Sequence, residues 1–220
     1  MTVFIWFFLL MGLQIFAGPQ ALSELVYEIR DPQTDSASFR QALEKIGEYL
    51  ALHVLEEMNT KEVMIQTLTG VEAKHLLVDE VPVLVTILRA GLPLNAGVQK
   101  VFPNAEVGFF AMSRNEETLR ASVDYVALPD LKDKSVIISD TMLATGGSLL
   151  NAIQMIVQKS PRRIFVIAAI ASQFGIERII DDHPEIKIFA AVIDPFLNEK
   201  GYIVPGLGDA GDRSYGNKKF

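Results

Sequence analysis

Short runs of apolar residues recur along the chain and predict strands that are buried on both faces. Stretches typical of helices, Leu149–Gln158 and Gly175–Asp181, fall between these runs. Strands that alternate with helices favour an α/β fold with a mostly parallel central sheet flanked by helices. The five predicted strands are Val81–Leu88, Val107–Ala111, Val136–Ser139, Ile164–Ile170 and Lys187–Ile193.

Upstream of the first strand, apolar residues recur at steps of three and four and predict an amphipathic helix. Thr34–Ser38 has the composition of a turn, and Ser38 with Gln41 forms a capping box for this helix. Asn115–Asp130 is rich in charge and lacks clear periodicity, so we expect an arm or hood outside the sheet. The periodic positions of the helix are Phe39, Leu43, Ile46, Leu50, Val54 and Met58.

The first 16 residues are strongly apolar and admit three interpretations. Ala17-Gly18 could be the cleavage site of a signal peptide, but no Lys or Arg precedes the apolar run. The run is also shorter than a usual membrane span. We favour Met11 as the true start, with Leu13–Phe16 as a short edge strand. Residues 1–20 are then an extension, and residues 21–220 form a single domain with a C-terminal hood.

Composition narrows the classes of function. Half of the 220 residues are hydrophobic, and the formal net charge is −7. Nucleic-acid binding usually needs a clustered basic surface, so this charge argues against a nucleic-acid partner. The sequence contains no cysteine, which excludes disulfides and thiolate metal sites and favours a reducing, cytoplasmic location. His53, His75 and His183 are scattered without metal-ligand spacing, so we expect them to be structural or exposed.

The segment Asp140–Ser148, DTMLATGGS, follows a predicted strand and precedes a predicted helix. Its two glycines let the backbone approach a ligand, and amides at a helix N-terminus bind phosphate. The segment is not a Walker loop, because the lysine of that motif is absent. Asp140 would repel a phosphate but can accept hydrogen bonds from sugar hydroxyls, so the segment predicts a ribose-phosphate site. The alternative is a plain glycine turn with Ser148 as the helix cap.

Four segments of the chain resemble uracil phosphoribosyltransferases, a group within the type I phosphoribosyltransferase family. The resemblance extends from Leu22 to Gly216, and its most specific part is the core GYIVPGLGDAGDR. Thr141 departs from the family pattern, which has a proline there that would fix φ and lack an N–H. The four segments are Ile87–Gly91, Arg114–Thr118, Asp140–Ser148 and Asp194–Gly216.

The resemblance implies a type I phosphoribosyltransferase-like fold with a small hood. It also implies transfer of 5-phosphoribosyl from phosphoribosyl pyrophosphate to uracil, which yields UMP and pyrophosphate in pyrimidine salvage. Arg89, as a buried guanidinium, and Arg114 would hold the pyrophosphate, and the catalytic residues would be Arg89, Asp140 and Asp209. Mg²⁺ would be carried by the substrate without a direct protein ligand. The implied phosphoribosyl pyrophosphate site comprises Arg89, Arg114, Asp140, Thr141, Met142, Leu143, Ala144, Thr145, Gly146, Gly147, Ser148 and Asp209, and the uracil site comprises Tyr202, Ile203, Gly208, Asp209 and Ala210.

Several alternatives stay open at this point. The resemblance does not decide whether GTP activates the enzyme, or whether it forms a homodimer or a homotetramer. Without the resemblance, Arg89 would be interpreted as a surface salt-bridge partner and Arg114 as part of a solvated charge cluster. A regulator that keeps the fold and binds RNA is a rival function, although the acidic charge argues against it. A phosphoribosyltransferase for another base is a second rival.

Overall fold

The computed structural model describes residues 20–114 and 121–217, and the predictions for the N-terminal extension, including the strand Leu13–Phe16, lie outside them. The helices are α1 Gln20–Arg30, α2 Ser36–Glu56, α3 Leu92–Val101, α4 Gly147–Val157, α5 Gln173–Asp182 and α6 Ala210–Tyr215. The strands are β1 Thr60–Gln66, β2 Glu72–Val78, β3 Val83–Leu88, β4 Val107–Arg114, β5 Ala121–Ala127, β6 Ser135–Leu143, β7 Arg163–Ser172, β8 Lys187–Asp194, β9 Phe196–Leu197 and β10 Ile203–Val204.

A six-stranded sheet with the order β5-β4-β3-β6-β7-β8 forms the centre of the described structure. All neighbours in it are parallel except β5, which pairs antiparallel with β4 at one edge. The five predicted strands and the α/β class with a mostly parallel sheet are therefore confirmed. The apolar runs identified these strands because a strand covered on both faces has no polar face.

Helices cover both faces of the sheet, since successive residues of a strand point to opposite sides. In β3, Leu84 belongs to a core cluster shared with α1, α2 and α3. Its neighbours Val83 and Val85 belong to a second cluster, shared with α4 and α5. The described residues thus form three layers, helices on sheet on helices. Among them, no helix combines the length and apolar character needed to cross a membrane.

The expectation that Asn115–Asp130 lies outside the sheet is wrong for Ala121–Ala127, which form the edge strand β5. Asp124 is left out of the ladder with β4 and forms a β-bulge. The bulge puts Val123 and Val126, three residues apart, against the same core cluster. Because these apolar residues are three positions apart, the strand lacks the alternation of apolar and polar residues by which strands are recognised in a sequence. The first six residues of the segment lie outside the described part of the chain.

Helix α2 begins at Ser36, before the predicted capping box. Its N-cap is Asp35, whose Oδ1 accepts hydrogen bonds from the backbone N–H groups of Ala37 at 2.8 Å and Ser38 at 2.9 Å. Hydrogen bonds from Ser38 and Ala37 lower the pKa of the Asp35 carboxyl. The prediction of Ser38 as the cap is wrong, because the upstream carboxylate already satisfies the free N–H groups of the first turn.

The hairpin β1–β2 is separate from the central sheet and was missed in the sequence pattern. One of its faces carries four apolar side chains, and Ile65 and Leu77 on that face are 54% and 51% exposed. Alternation along the strands is blurred because Met64 and Leu76, on the other face, are apolar too. The four side chains of the apolar hairpin face are Val63, Ile65, Ala73 and Leu77.

Candidate active site

The carboxyl ends of β3 and β6 lie side by side at the point where the order of the sheet reverses. The chain leaves β3 towards β4 on one side, and it later returns to form β6 on the other side of β3. Ligands of open α/β sheets bind beyond the strand ends at such a switch point. Arg89-Ala90-Gly91 follows β3, and Asp140–Ser148 spans the end of β6 and the start of α4.

A cavity of about 200 Å³ lies at these strand ends. Two segments that are far apart in sequence line it: the phosphate loop, Ala144–Ser148, and the C-terminal glycine-rich segment, which lies within Asp194–Gly216. Ala90, Leu149, Gly201 and Gly211 line it too and were not among the predicted site residues. The predicted site residues that line the cavity are Asp140, Met142, Leu143, Ala144, Thr145, Gly146, Gly147, Ser148, Tyr202, Ile203, Gly208, Asp209 and Ala210.

The Asp140 carboxyl lies in the cavity wall, near the end of the apolar strand β6. Burial raises the pKa of this carboxyl to about 7, against the opposing effect of hydrogen bonds from the backbone N–H groups of Met142 and Thr141. A carboxyl with its pKa near neutrality is typical of functional sites. When it is ionised, it can accept hydrogen bonds from the hydroxyls of a sugar.

The phosphate loop enters α4 through a left-handed turn. Gly146 is the N-cap of α4 and has a φ of 75°, a conformation that favours glycine. No described side chain caps the helix, so its first N–H groups are available to an anion. These N–H groups and the helix dipole can bind a phosphate.

Residues at the end of β7 and in α5 hold the phosphate loop in place and were missed in the sequence. Ser172 donates a hydrogen bond from its hydroxyl to the Ala144 carbonyl at 2.6 Å. Arg178 donates to the Thr145 carbonyl at 2.9 Å. Gly175 lies so close to the loop that a Cβ there would overlap the Ala144 carbonyl. In the sequence, the only signal for these contacts was that Gly175 begins a predicted helix and that Ser172 lies three residues before it.

Arg89 follows a cis peptide bond between Leu88 and Arg89. Its guanidinium forms an ion pair with Asp212, with 2.8 Å between Nη2 and Oδ1. The Arg89 side chain is 37% exposed, so the expectation of a buried guanidinium is wrong. Asp212 was not predicted, because the sequence does not show which aspartate of GDAGD faces an arginine.

The predicted uracil-site residues lie around the short hairpin β9–β10 and the start of α6. Ile203 is buried, whereas the Tyr202 side chain is 43% exposed. Asp209 is the N-cap of α6, and its Oδ1 accepts a hydrogen bond from the backbone N–H of Asp212 at 2.9 Å. One carboxylate oxygen of Asp209 is thus engaged by the protein itself.

Two arginines anchor this C-terminal segment, and sequence reasoning found neither of them. Arg30 donates to both carboxylate oxygens of Asp194, at 2.6 and 2.9 Å, and to the Gly206 carbonyl at 2.8 Å. The backbone N–H of Gly206 donates to the same carboxylate at 2.8 Å. Arg213 donates to the Leu207 carbonyl at 3.1 Å. The segment is therefore fixed to helix α1 and strand β8 by charged hydrogen bonds.

Two predicted residues of the described structure, Arg89 and Thr141, do not line the cavity. Thr141 is fully buried, and its hydroxyl donates to the Ala90 carbonyl at 2.7 Å rather than lining the cavity. Arg114 ends β4, but its side chain lies outside the described part of the structure. The role of Arg114 in holding pyrophosphate stays a prediction.

Comparison with known proteins identifies the family. The profile of a family described as uracil phosphoribosyltransferase matches residues 18–217. The chain belongs to this family. It is 41% identical over 203 residues to the uracil phosphoribosyltransferase of Clostridium botulinum, covering 92% of this chain and 97% of the relative. It is 42% identical over 191 residues to that of Clostridium kluyveri, covering 86% and 91%.

A solved structure shares the fold over most of the chain. A protein from Aquifex aeolicus matches with a TM-score of 0.86 and 37% identity, over 94% of this chain and the whole of that chain. The motif resemblance found in the sequence is therefore confirmed at the level of family and fold.

The acidic residues of this uracil phosphoribosyltransferase family member bear on the expected Mg²⁺. Within the described residues, no group of three or more His, Asp or Glu side chains could hold a metal ion. Asp140 and Asp209 line the cavity as separate carboxylates. Mg²⁺ keeps several waters and is usually bound through substrate phosphates and one or two carboxylates. The donors present therefore fit an ion that arrives on its substrate.

Proposed function

We propose that the protein is a uracil phosphoribosyltransferase, which transfers the 5-phosphoribosyl group of phosphoribosyl pyrophosphate to N1 of uracil and releases pyrophosphate. One observation carries this proposal. The phosphate loop, the Asp140 carboxyl and the C-terminal segment typical of the uracil enzymes line one cavity at the switch point of the sheet. A ribose phosphate and a base can therefore meet there.

The free N–H groups at the start of α4 would bind the 5′-phosphate, and Asp140 would accept hydrogen bonds from the ribose hydroxyls. As the bond from the anomeric carbon to pyrophosphate breaks, positive charge develops on the sugar and negative charge on the leaving group. Arg89 would stabilise that negative charge, an interaction stronger in the transition state than in the ground state. Mg²⁺ would neutralise further charge on the pyrophosphate oxygens.

The ion pair between Arg89 and Asp212 is compatible with this role. A guanidinium has five N–H donors. Asp212 accepts from Nη2 at 2.8 Å, and Nη1 donates a long hydrogen bond of 3.5 Å to the Gly216 carbonyl. The partly exposed side chain can therefore bind pyrophosphate oxygens with its other donors while Asp212 orients it. Asp212 is a positioning residue in this scheme.

Uracil would bind against the C-terminal segment. Its polar edge alternates hydrogen-bond acceptors and donors, which backbone N–H and C=O groups of Ile203 and of Gly208, Asp209 and Ala210 can match. Tyr202 is exposed and lines the cavity, so its ring could cover the base. The fixed backbone of this segment supports specificity for one base.

The decisive experiment mixes the protein with Mg²⁺, phosphoribosyl pyrophosphate and uracil and measures UMP by chromatography. We expect UMP with uracil and no nucleotide with cytosine, hypoxanthine or orotate. Product from one of those bases would favour a different phosphoribosyltransferase. Filter binding with RNA that is tight and salt-dependent, without UMP formation, would favour the RNA-binding rival. The same assay with and without GTP tests activation by GTP.

The proposals for assembly and for location rest on the hairpin and on the composition. The exposed side chains of the apolar hairpin face support assembly into a homodimer or homotetramer. The cysteine-free sequence supports a cytoplasmic location, which cell fractionation would test.

A further inference from the structure

The ends of β3 and β6 separate just before the active-site cavity, and two threonine hydroxyls link the strands there. The Thr86 hydroxyl donates to the Ser139 carbonyl at 3.2 Å. Backbone pairing between the two strands ends at Thr86 and Ser139. Beyond that point the Thr141 hydroxyl donates to the Ala90 carbonyl at 2.7 Å. Thr141 has no exposed surface, so the donor of this hydrogen bond is shielded from water.

Both partners of this hydrogen bond sit next to proposed substrate-binding groups. Ala90 lines the cavity and directly follows Arg89. Thr141 directly follows Asp140, and its backbone N–H donates to the Asp140 carboxylate. Thr141 thus contacts the pyrophosphate side of the site with its hydroxyl and the ribose side with its N–H.

The resemblance noted in the sequence also leads us to expect a proline at the position where this chain has Thr141. A proline has neither a hydroxyl nor an N–H, so it could make neither contact. The threonine therefore supplies two hydrogen bonds that the usual residue cannot supply.

We propose that Thr141 is a positioning residue that fixes the Arg89-Ala90 loop relative to Asp140 for binding of phosphoribosyl pyrophosphate. This inference rests on the proposed function. Removing the hydroxyl takes this donor away from the Ala90 carbonyl, so the loop should shift or admit water. The loss of the hydroxyl should lower kcat/KM for phosphoribosyl pyrophosphate and leave the KM for uracil nearly unchanged.

The test compares three variants in steady-state kinetics with each substrate varied. Thr141→Val keeps the shape and the backbone N–H but lacks the hydroxyl. We expect it to lower kcat/KM for phosphoribosyl pyrophosphate roughly tenfold, the change expected on losing one buried hydrogen bond. The KM for uracil should stay within about twofold. Thr141→Ser restores the hydroxyl and should restore kcat/KM.

Ser135→Ala is the matched control. Ser135 is a buried hydroxyl on the same strand, at the end far from the cavity, and it donates to Glu80 at 2.8 Å. This variant should lose thermal stability without changing kcat/KM for either substrate. If Ser135→Ala and Thr141→Val change the kinetics alike, the hydroxyl acts only on general stability.

Other outcomes separate this inference from the proposed function. No UMP from the wild-type protein would remove the proposed function, and the inference with it. An active wild-type enzyme with an unchanged Thr141→Val variant would overturn the inference alone. Failure of Thr141→Val to fold, while Ser135→Ala folds, would also overturn it, because the hydroxyl would then be needed for folding rather than for positioning.

Discussion

The two carboxylates in the cavity wall have different surroundings and therefore suit different tasks. Asp140 lies near the end of the apolar strand β6, and burial raises the pKa of its carboxyl to about 7. Asp209 caps α6 with one oxygen, which ties its orientation to the short helix that also holds Asp212. When ionised, Asp140 can accept hydrogen bonds from a sugar. Asp209 instead accepts a hydrogen bond from the backbone N–H of Asp212, the ion-pair partner of Arg89.

Arg89 is the residue whose removal should affect the chemistry most. We expect Arg89→Ala to lower kcat by 10² to 10³, about 3 kcal/mol of lost transition-state stabilisation. The fold should survive, because a partly exposed ion pair contributes little to stability. UMP formation and a thermal melt measure both effects. Arg162→Ala breaks an exposed pair with Glu80 away from the cavity and should leave turnover unchanged. Turnover near that of the wild type in Arg89→Ala would remove the assigned role.

The raised pKa of Asp140 predicts how stability depends on pH. Between the ordinary value of 3.8 and about 7, the folded state holds a proton on Asp140 that the unfolded state has released. Stability therefore falls as pH rises through this window. The melting temperature of the wild type should drop relative to that of Asp140→Asn between pH 4 and pH 7.5. Parallel melting curves for the two proteins across that range would contradict the burial argument.

At the residue scale, sequence motifs predicted residues that line the cavity but not the residues that hold the lining loops in place. DTMLATGGS and GLGDA identified residues that line the cavity, because binding of a phosphate or a sugar needs glycine, acid or hydroxyl at fixed spacing. Asp212, Arg30 and Ser172 act on other loops across the fold, and their partners are far away in sequence. A pairing over such separations leaves no local pattern to read.

The packing of α2 on α3 shows a similar limit at the scale of elements. The periodicity of α2 was readable, but its close approach to α3 depends on two glycines that face backbone atoms. A Cβ at Gly47 would overlap the Leu94 carbonyl, and one at Gly97 would overlap the Glu44 carbonyl. The sequence shows small residues in each helix but not that they meet.

Because of this contact, we expect a Gly→Ala substitution to lower the free energy of unfolding, the reverse of its usual effect in a helix. Within a helix, Gly→Ala normally stabilises by about 1 kcal/mol. Gly97→Ala should instead destabilise by about 1–3 kcal/mol, because the added methyl forces α2 and α3 apart. Urea denaturation measures the difference. Gln99→Ala, at an exposed position of the same helix, is the control and should be nearly neutral. Stabilisation by Gly97→Ala would show that the helices are not in close contact.

Edge elements were harder to predict than central ones for a physical reason. The central strands are buried on both faces, so their residues are constrained to be apolar. Strand β5 has a bulge at Asp124, and the hairpin β1–β2 leaves its apolar face exposed. Elements with less burial impose weaker patterns on the sequence.

At the scale of the whole molecule, the position of the site follows from the topology. The sequence predicted parallel strands but not their order. The order places the loops after β3 and β6 on either side of the switch point, where a ligand can enter between them. Residues about 50 positions apart, such as Ala90 and Thr141, thereby come into contact.

The apolar hairpin face leads to a prediction about assembly. Ile65 and Leu77 expose about half of their surface, which is costly unless another surface covers them. We expect the protein to have a mass in solution of at least twice the 24.3 kDa of one chain. The double variant Ile65→Lys with Leu77→Lys should shift that mass to a single chain, because lysines would be buried at the contact.

Size-exclusion chromatography with light scattering measures this mass, and the opposite face of the hairpin provides the control. Thr60 and Gln66 are polar and exposed there, so Thr60→Lys with Gln66→Lys adds the same charge to the same hairpin without removing an apolar side chain. The control should keep the mass of the wild type. If both double variants dissociate, added charge alone explains the effect and the apolar hairpin face is not the contact. A wild-type protein that is monomeric at all concentrations would rule out assembly through this face altogether.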